Sequence, residues 1–194
     1  MAIQVERESV TTKSRHVSPS YVDKDGVQYL TSSDRPFPVV DVNHLRLHEG
    51  RAYYCYKLYP MSSQLAVGNS IDIALAFPAG VTPHAVFNYQ CGGDSEFYVY
   101  ESPVTSGGTS LTIHRRNRNL ATSSAGVAVI APTVTSLGTE IFGEFIASGQ
   151  GGTGAGGGGY TYEYVLKPLT TYLFRLTNVN AQAHMAELLI EWYE

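Results

Sequence analysis

Large apolar side chains alternate with small or polar ones along several stretches of this 194-residue sequence. The stretch Ser70–Phe77 carries isoleucine, isoleucine, leucine and phenylalanine at every second position. Because successive side chains of a β-strand point to opposite faces, this spacing places four large side chains on one face. Shorter runs of the same kind are Phe97–Tyr100, Leu111–His114, Val127–Ile130, Ile141–Ile146 and Thr170–Asn178.

The run His184–Tyr193 also alternates, with alanine, leucine, isoleucine and tryptophan on one side and two glutamates on the other. A short helix is the alternative, but the β-branched and aromatic residues at its end favour a strand. Gly, Pro, Asn and Ser separate the runs at intervals of roughly ten to fifteen residues, which is typical of an antiparallel sandwich or barrel. We therefore predict an all-β protein in which residues 41–194 form one antiparallel, jelly-roll-like β-sandwich that is large enough to bury its own core.

Residues 1–40 follow a different pattern and are predicted to form an extended N-terminal arm. Residues 1–51 carry 7 of the 13 basic and 7 of the 17 acidic residues of the chain, with few spaced apolar positions. Pro36 and Pro38 fix φ and bias their neighbours toward extended backbone. One interpretation is a terminus without a role. The other is a tethering arm that a partner grips through side chains spaced along it, namely Val5, Val10, Val17, Tyr21 and Val22.

Charge and cysteine content exclude several classes of protein. No apolar run approaches the ~20 residues of a transmembrane helix, so we expect no membrane partner. A net charge of −4 argues against bulk binding of nucleic acid, which requires a basic surface. Cys55 and Cys91 lack CxxC spacing, so free thiols in a reducing compartment are expected.

Two features are built around glycine. The frame VTSxGT, followed one residue later by an aliphatic side chain, occurs in Val104–Leu111 and again in Val134–Ile141, and it predicts two hairpins of one turn type. The glycine-rich segment 148–159 lacks the lysine and hydroxyl residue of a Walker loop, and no helical pattern follows it. We predict a flexible loop, or one that threads a narrow gap between subunits, and we expect no cofactor.

Residues with catalytic or metal-binding chemistry are sparse. On a strand, His44 and His48 would share a face with Arg46 between them, and a cation is a poor neighbour for a metal ion. We therefore predict a solvated or hydrogen-bonded histidine pair and no metal site. HExxH and GxSxG motifs are absent, so no catalytic residue is predicted. Paired carboxylates for glycoside hydrolysis are left open, because such groups meet only in space.

Contact surfaces are the other candidate sites. Tyrosines crowd several strands, and alternating positions cannot all point into one core, so some must face solvent or a partner. The one basic cluster lacks interleaved aromatic residues, which favours a protein contact or a solvated loop over nucleic acid. The predicted contact residues outside the arm are Tyr53, Tyr54, Arg115, Arg116, Arg118, Tyr160 and Tyr162.

Several motifs of residues 44–194 follow one another in a recognisable order. They are His48–Tyr53, the two VTSxGT frames, Arg116–Asn119 between them, the glycine-rich segment, Leu166–Asn178 and a Trp-Tyr-Glu end. This order resembles a family of tailed-phage virion proteins, the capsid decoration (cement) or minor structural proteins. The resemblance implies a non-enzymatic β-sandwich, made in the bacterial host cytoplasm, on the exterior of the phage head. There it would bind the major capsid protein and strengthen contacts between its subunits, commonly as a homotrimer.

Two other functions are compatible with the sequence. A carbohydrate- or receptor-binding module of a phage tail or fibre would use exposed tyrosine and tryptophan rings to stack on sugars. A β-sandwich hydrolase is less favoured, because no acid/base pair stands out.

Deletion of residues 1–40 is expected to leave the sandwich folded but to weaken its binding to phage heads, because an extended arm adds reach across a subunit boundary. Circular dichroism reports the fold, and co-sedimentation with empty heads reports the affinity. Undiminished affinity of the truncated protein would contradict a tethering role of the arm.

Overall fold

A computed structural model describes residues 20–22, 28–30, 42–148, 156–159 and 163–194. Over these residues the chain forms sixteen strands and one helix. In chain order they are β1 (Ser20–Val22), β2 (Gln28–Leu30), α1 (Val42–His48), β3 (Ala52–Tyr59), β4 (Ser70–Ala76), β5 (His84–Cys91), β6 (Ser95–Glu101), β7 (Val104–Ser106), β8 (Thr109–Ser110), β9 (His114–Arg115), β10 (Val127–Ile130), β11 (Thr133–Ser136), β12 (Thr139–Ile146), β13 (Gly156–Gly159), β14 (Tyr164–Val165), β15 (Thr171–Asn178) and β16 (Ala186–Tyr193).

The chain divides into two compact units, Met1–Asp41 and Val42–Glu194. In the first unit β1 and β2 pair antiparallel, with Tyr21 opposite Tyr29. The second unit contains two large antiparallel sheets that pack together as a sandwich. Sheet 1 has the order β12-β6-β15-β4-β10-β8, and sheet 2 has the order β13-β5-β16-β3-β9, with β14 also pairing with β5.

The strand order of the sandwich is that of a jelly roll. The consecutive strands β3, β4, β5 and β6 alternate between sheet 2 and sheet 1. Two later strands insert between them, so that β16 lies between β3 and β5 while β15 lies between β4 and β6. The strand β12 lies beside β6 at one edge of sheet 1, and β13 and β14 lie beside β5 at one edge of sheet 2. Two interlocking Greek keys of this kind define the jelly roll, and the all-β sandwich predicted from the sequence is confirmed.

The core lies between the two sheets and is centred on the ring of Phe87 in β5. Its centroid is 5.4 Å from that of Phe97, 5.7 Å from Phe142, 5.1 Å from Tyr164 and 5.7 Å from Phe174. These rings come from β6, β12, β14 and β15, so one side chain connects five strands of both sheets. Tilted aromatic pairs at this separation are each worth ~0.5–1.5 kcal/mol beyond their buried area.

Most of the predicted strands are present. The alternating runs near β4, β6, β10, β12 and β15 all form strands, and His184–Tyr193 supplies the strand β16 rather than a helix. The predicted strand Leu111–His114 is wrong, because residues 111–113 form no ladder and only the short strands β8 and β9 flank them. Part of the glycine-rich segment is also more regular than a loop, since Gly156–Gly159 pairs with β5 as an edge strand.

The prediction that strands begin near residue 41 is wrong for Val42–His48, which forms the helix α1. The helix ends in a Schellman motif, in which the Gly50 N–H donates to Leu47 and the Arg51 N–H donates to the Arg46 carbonyl. Gly50 has the positive φ of 73° that this motif requires. Arg46 and His48 lie in the last turn, where the helix dipole favours positive charge.

The two VTSxGT frames do not form the two hairpins predicted for them. Their first halves, β7 and β11, pair with each other, with Thr105 opposite Val134. Their second halves enter sheet 1 separately, as β8 beside β10 and β12 beside β6. The two copies of the repeat therefore form the two strands of one ribbon. Strands as short as β7 and β11 form hydrogen bonds with whichever strand the larger sheet places beside them.

Glycine is required where this ribbon returns to sheet 1. Gly108 and Gly138 occupy equivalent positions of the repeat and have positive φ values of 86° and 79°. A Cβ atom at Gly138 would overlap the backbone of Glu101 and Ser102. The two positions combine a left-handed backbone with a close approach to other backbone, and only glycine meets both requirements.

Gly138→Ala is expected to cost at least ~2–3 kcal/mol of unfolding free energy, because a left-handed alanine and a clash with backbone add together. Gly68 is the matched control, since its φ is 72° but a Cβ atom there would meet open space. Gly68→Ala is expected to cost only ~1 kcal/mol. Urea denaturation measures both values, and equal losses would contradict the packing argument.

Candidate functional site

Strand alternation removes Tyr53 from the predicted contact residues. Tyr53 is buried in the core, where its ring lies 6.2 Å from that of Trp192. Its neighbour Tyr54 points to the outer face of sheet 2. The two tyrosines are adjacent in sequence, so in a strand only one of them can face a partner.

Strand pairing brings Tyr54 and the basic cluster together. In the register of β3 and β9, Tyr54 lies opposite His114 and Tyr53 lies opposite Arg115. Arg116 is exposed and forms an ion pair of 3.3 Å with Glu191 of β16, and Arg118 is exposed beyond it. Arg115 is only partly exposed, and its Nε and Nη1 atoms are buried without an acceptor among the described residues, so Arg115 is a poor contact residue for a partner.

The structure does not describe the side chains of the remaining predicted contact residues. Tyr21 lies in β1, and only its backbone is described. The other five lie outside the described residues, and they are Val5, Val10, Val17, Tyr160 and Tyr162.

Three aromatic rings cluster on the outer face of sheet 2, and we call them the ring cluster. Their members are Tyr54, Tyr56 and His114. The centroids are 5.1 Å apart for Tyr54 and His114, 5.9 Å for Tyr56 and His114, and 6.2 Å for the two tyrosines. Tyr56 is 41% exposed, so this aromatic surface is accessible from solvent.

Two loops at one end of the sandwich contain no acidic residue, lysine or arginine, and we call this end the loop end. Residues 60–69 connect β3 to β4 and residues 179–185 connect β15 to β16, and neither segment contains Asp, Glu, Lys or Arg. The segments meet directly, because the Leu65 N–H donates to the His184 carbonyl at 2.8 Å and the reverse bond is 3.1 Å. The two loops therefore form one continuous surface.

Apolar side chains are exposed over this surface. Met61 is 70% exposed and Val67 is 53% exposed. Further exposed members are Val179 and Met185, and the exposed Leu58 at the end of β3 adjoins Met185. Exposed methionine and valine without neighbouring charge provide apolar area that a partner can bury without desolvating an ionised group of either loop. The signal was present in the sequence as two charge-free loops, but alternation patterns do not report on loops.

Buried polar groups hold the loop end in place. Asn178 is fully buried, and its Nδ2 donates to the carbonyls of Leu65 at 3.0 Å and Gln182 at 2.9 Å. Its Oδ1 accepts from the Asn180 N–H at 3.0 Å. One amide side chain thus connects both loops, which fixes their relative position without using any charge.

A carboxylate anchors the loop end to the segment that follows β12. Asp94, in the turn between β5 and β6, accepts hydrogen bonds from the backbone N–H and the hydroxyl of Ser148, at 2.6 and 2.7 Å. These two bonds lower the pKa of Asp94, with a smaller contribution from His184 in the same direction. Because both bonds favour the ionised form, Asp94 stabilises this junction at neutral pH.

Other groups with reactive chemistry occupy structural positions. His44 and His48 lie on α1 rather than on a strand, and their Nε2 atoms are 3.0 Å apart, so the predicted hydrogen-bonded pair is present. No cluster of three potential metal ligands occurs within the described ranges. Cys55 and Cys91 are free thiols in the core, and burial raises the pKa of Cys55 to about 12, which suppresses its thiolate.

No helix in the described part of the chain is long and apolar enough to cross a bilayer. Comparison of the chain with protein families, with curated proteins and with solved structures finds no match. The geometry of the sandwich surface is therefore the basis for the functional argument.

Asp94→Asn is expected to lower the unfolding free energy at neutral pH, because a neutral amide oxygen accepts weaker bonds from Ser148. The pKa of Asp94 is lowered in the folded state, so its contribution is present above the unfolded pKa and is lost as the pH falls through the folded value. The difference between wild type and variant should therefore shrink below about pH 4.

Urea denaturation at a series of pH values measures this difference. Glu187→Gln is the matched control, because it also removes one negative charge. Within the described residues the Glu187 side chain forms no hydrogen bond that the substitution would weaken. A stability difference for Asp94→Asn that is independent of pH would contradict the assignment.

Proposed function

We propose that this chain is a non-enzymatic structural protein of a phage virion, which binds the outer surface of the capsid and stabilises contacts between major capsid subunits. The observation that carries the proposal is the loop end, where apolar side chains are exposed on two charge-free loops. This surface is suited to burial against another protein, because no ionised group of either loop has to be desolvated.

Binding to an assembled lattice stabilises that lattice by mass action. A protein that binds adjoining subunits, but not the separated ones, shifts the equilibrium toward assembly by RT ln(1 + [L]/Kd). Burial of exposed apolar area contributes ~25 cal/mol per Å². Met61 and Met185 add adaptability, because unbranched thioether side chains adjust to an irregular partner surface. The loop end thus has the chemistry that a lattice-binding protein requires.

The fold supports the same proposal through rigidity. The two loops, residues 60–69 and 179–185, each connect a strand of one sheet to a strand of the other, and Asn178 fixes them to each other. A preorganised surface loses little conformational entropy on binding, so more of the contact energy appears as affinity. We further propose that the partner is the major capsid protein and that the chain acts on the lattice as a homotrimer.

The double substitution Met61→Asp with Val67→Asp is expected to weaken binding to phage heads by at least about tenfold, or ~1.4 kcal/mol, because two carboxylates would be desolvated in the interface. Both side chains are more than half exposed, at 70% and 53%, so the fold should tolerate the changes. Co-sedimentation with heads that lack this protein measures the affinity.

The matched control is Val104→Asp with Val127→Asp. These valines are 59% and 61% exposed and lie in β7 and β10, away from the loop end. The control adds the same charge and should bind as wild type does. Equal binding by both double variants would exclude the loop end as the capsid contact.

A further inference from the structure

The ring cluster on sheet 2 is a second surface, distinct from the loop end. Tyr54 and Tyr56 stand two positions apart on β3, and His114 of the neighbouring strand β9 lies beside both. The planes of the three rings lie within 36° of one another. Each aromatic face carries negative charge density and attracts C–H groups that approach it.

A groove runs beside the ring cluster and has a volume of about 480 Å³. The groove is shallow and open to solvent rather than an enclosed cavity. Its lining includes the rings of Tyr56 and His114 and the hydroxyl groups of Ser110 and Thr112. Aromatic rings beside hydroxyl groups match a ligand with both C–H faces and hydroxyl edges.

The charges around the ring cluster determine which ligand is favoured. Arg116 is neutralised by its ion pair with Glu191, which lies opposite Tyr54 in the sheet. Glu187 lies opposite Leu58, which also lines the groove. Arg116 and Glu191 compensate each other. Lys57, which also lines the groove, opposes Glu187, so the groove has little net charge and favours a neutral ligand over an ionic one.

We infer that the ring cluster and its groove form a binding site for a neutral pyranose saccharide. The sugar stacks a C–H face on Tyr56 and His114, and its hydroxyl groups bind Ser110 and Thr112. The Arg116–Glu191 pair lies at the same edge, where it offers donors and acceptors to a second sugar unit. The groove adjoins the loop end at Leu58 and Pro60, but the residues that contact the sugar lie outside the two loops proposed for the capsid contact.

Saturation-transfer difference NMR on the full chain tests the site, with methyl glucoside, methyl galactoside and N-acetylglucosamine as probes. At least one neutral sugar is expected to receive saturation on its ring protons. Tyr56→Ala should raise the Kd of that sugar about tenfold, and Tyr56→Phe should restore most of the affinity because the ring is retained.

Phe145→Ala is the matched control, because Phe145 is 59% exposed but lies on β12 of the other sheet. It should bind the sugar as wild type does. Three results would overturn the inference: no transfer to any neutral sugar, equal binding by Tyr56→Ala, or binding of heparin in preference to the neutral sugars. None of them bears on co-sedimentation with phage heads, so the two proposals fail separately.

Discussion

The packing of Phe87 between the two sheets is the interaction on which the other features of the sandwich depend. Its ring contacts rings from β6, β12, β14 and β15, and thereby fixes sheet 1 over sheet 2. With that face-to-face packing in place, β15 and β16 insert into opposite sheets, and the loop between them is held beside the loop between β3 and β4. The aromatic core thus positions the loop end, although none of its rings lies there.

The two surfaces of interest differ in how the fold produces them. The loop end depends on connections between strands and on the buried amide of Asn178, which bridges segments that are far apart in the chain. The ring cluster depends on strand register, because only the pairing of β3 with β9 brings His114 to Tyr54. Low charge serves the loop end, since desolvation of a few neutral groups costs much less than desolvation of ions.

The strands that alternation predicted are those with one apolar and one polar face, such as β4 and β16. The strand β3 has tyrosine on both faces, so its pattern does not separate inside from outside, and Tyr53 was assigned to the surface for this reason. The helix α1 is short, and its Schellman motif depends on the single residue Gly50. The repeat at Val104 and Val134 predicted two separate hairpins, because local sequence could not show that the two copies pair with each other.

The sequence by itself determined the fold class and the uneven distribution of charge, because these properties depend on residue type and on spacing of a few positions. Only the tertiary structure decided which strands became neighbours, and hence that two charge-free loops form one surface while Tyr54 and Tyr56 meet His114. The physical reason is that these contacts join residues distant in sequence. Their formation depends on the sum of core packing across both sheets, which no local pattern encodes.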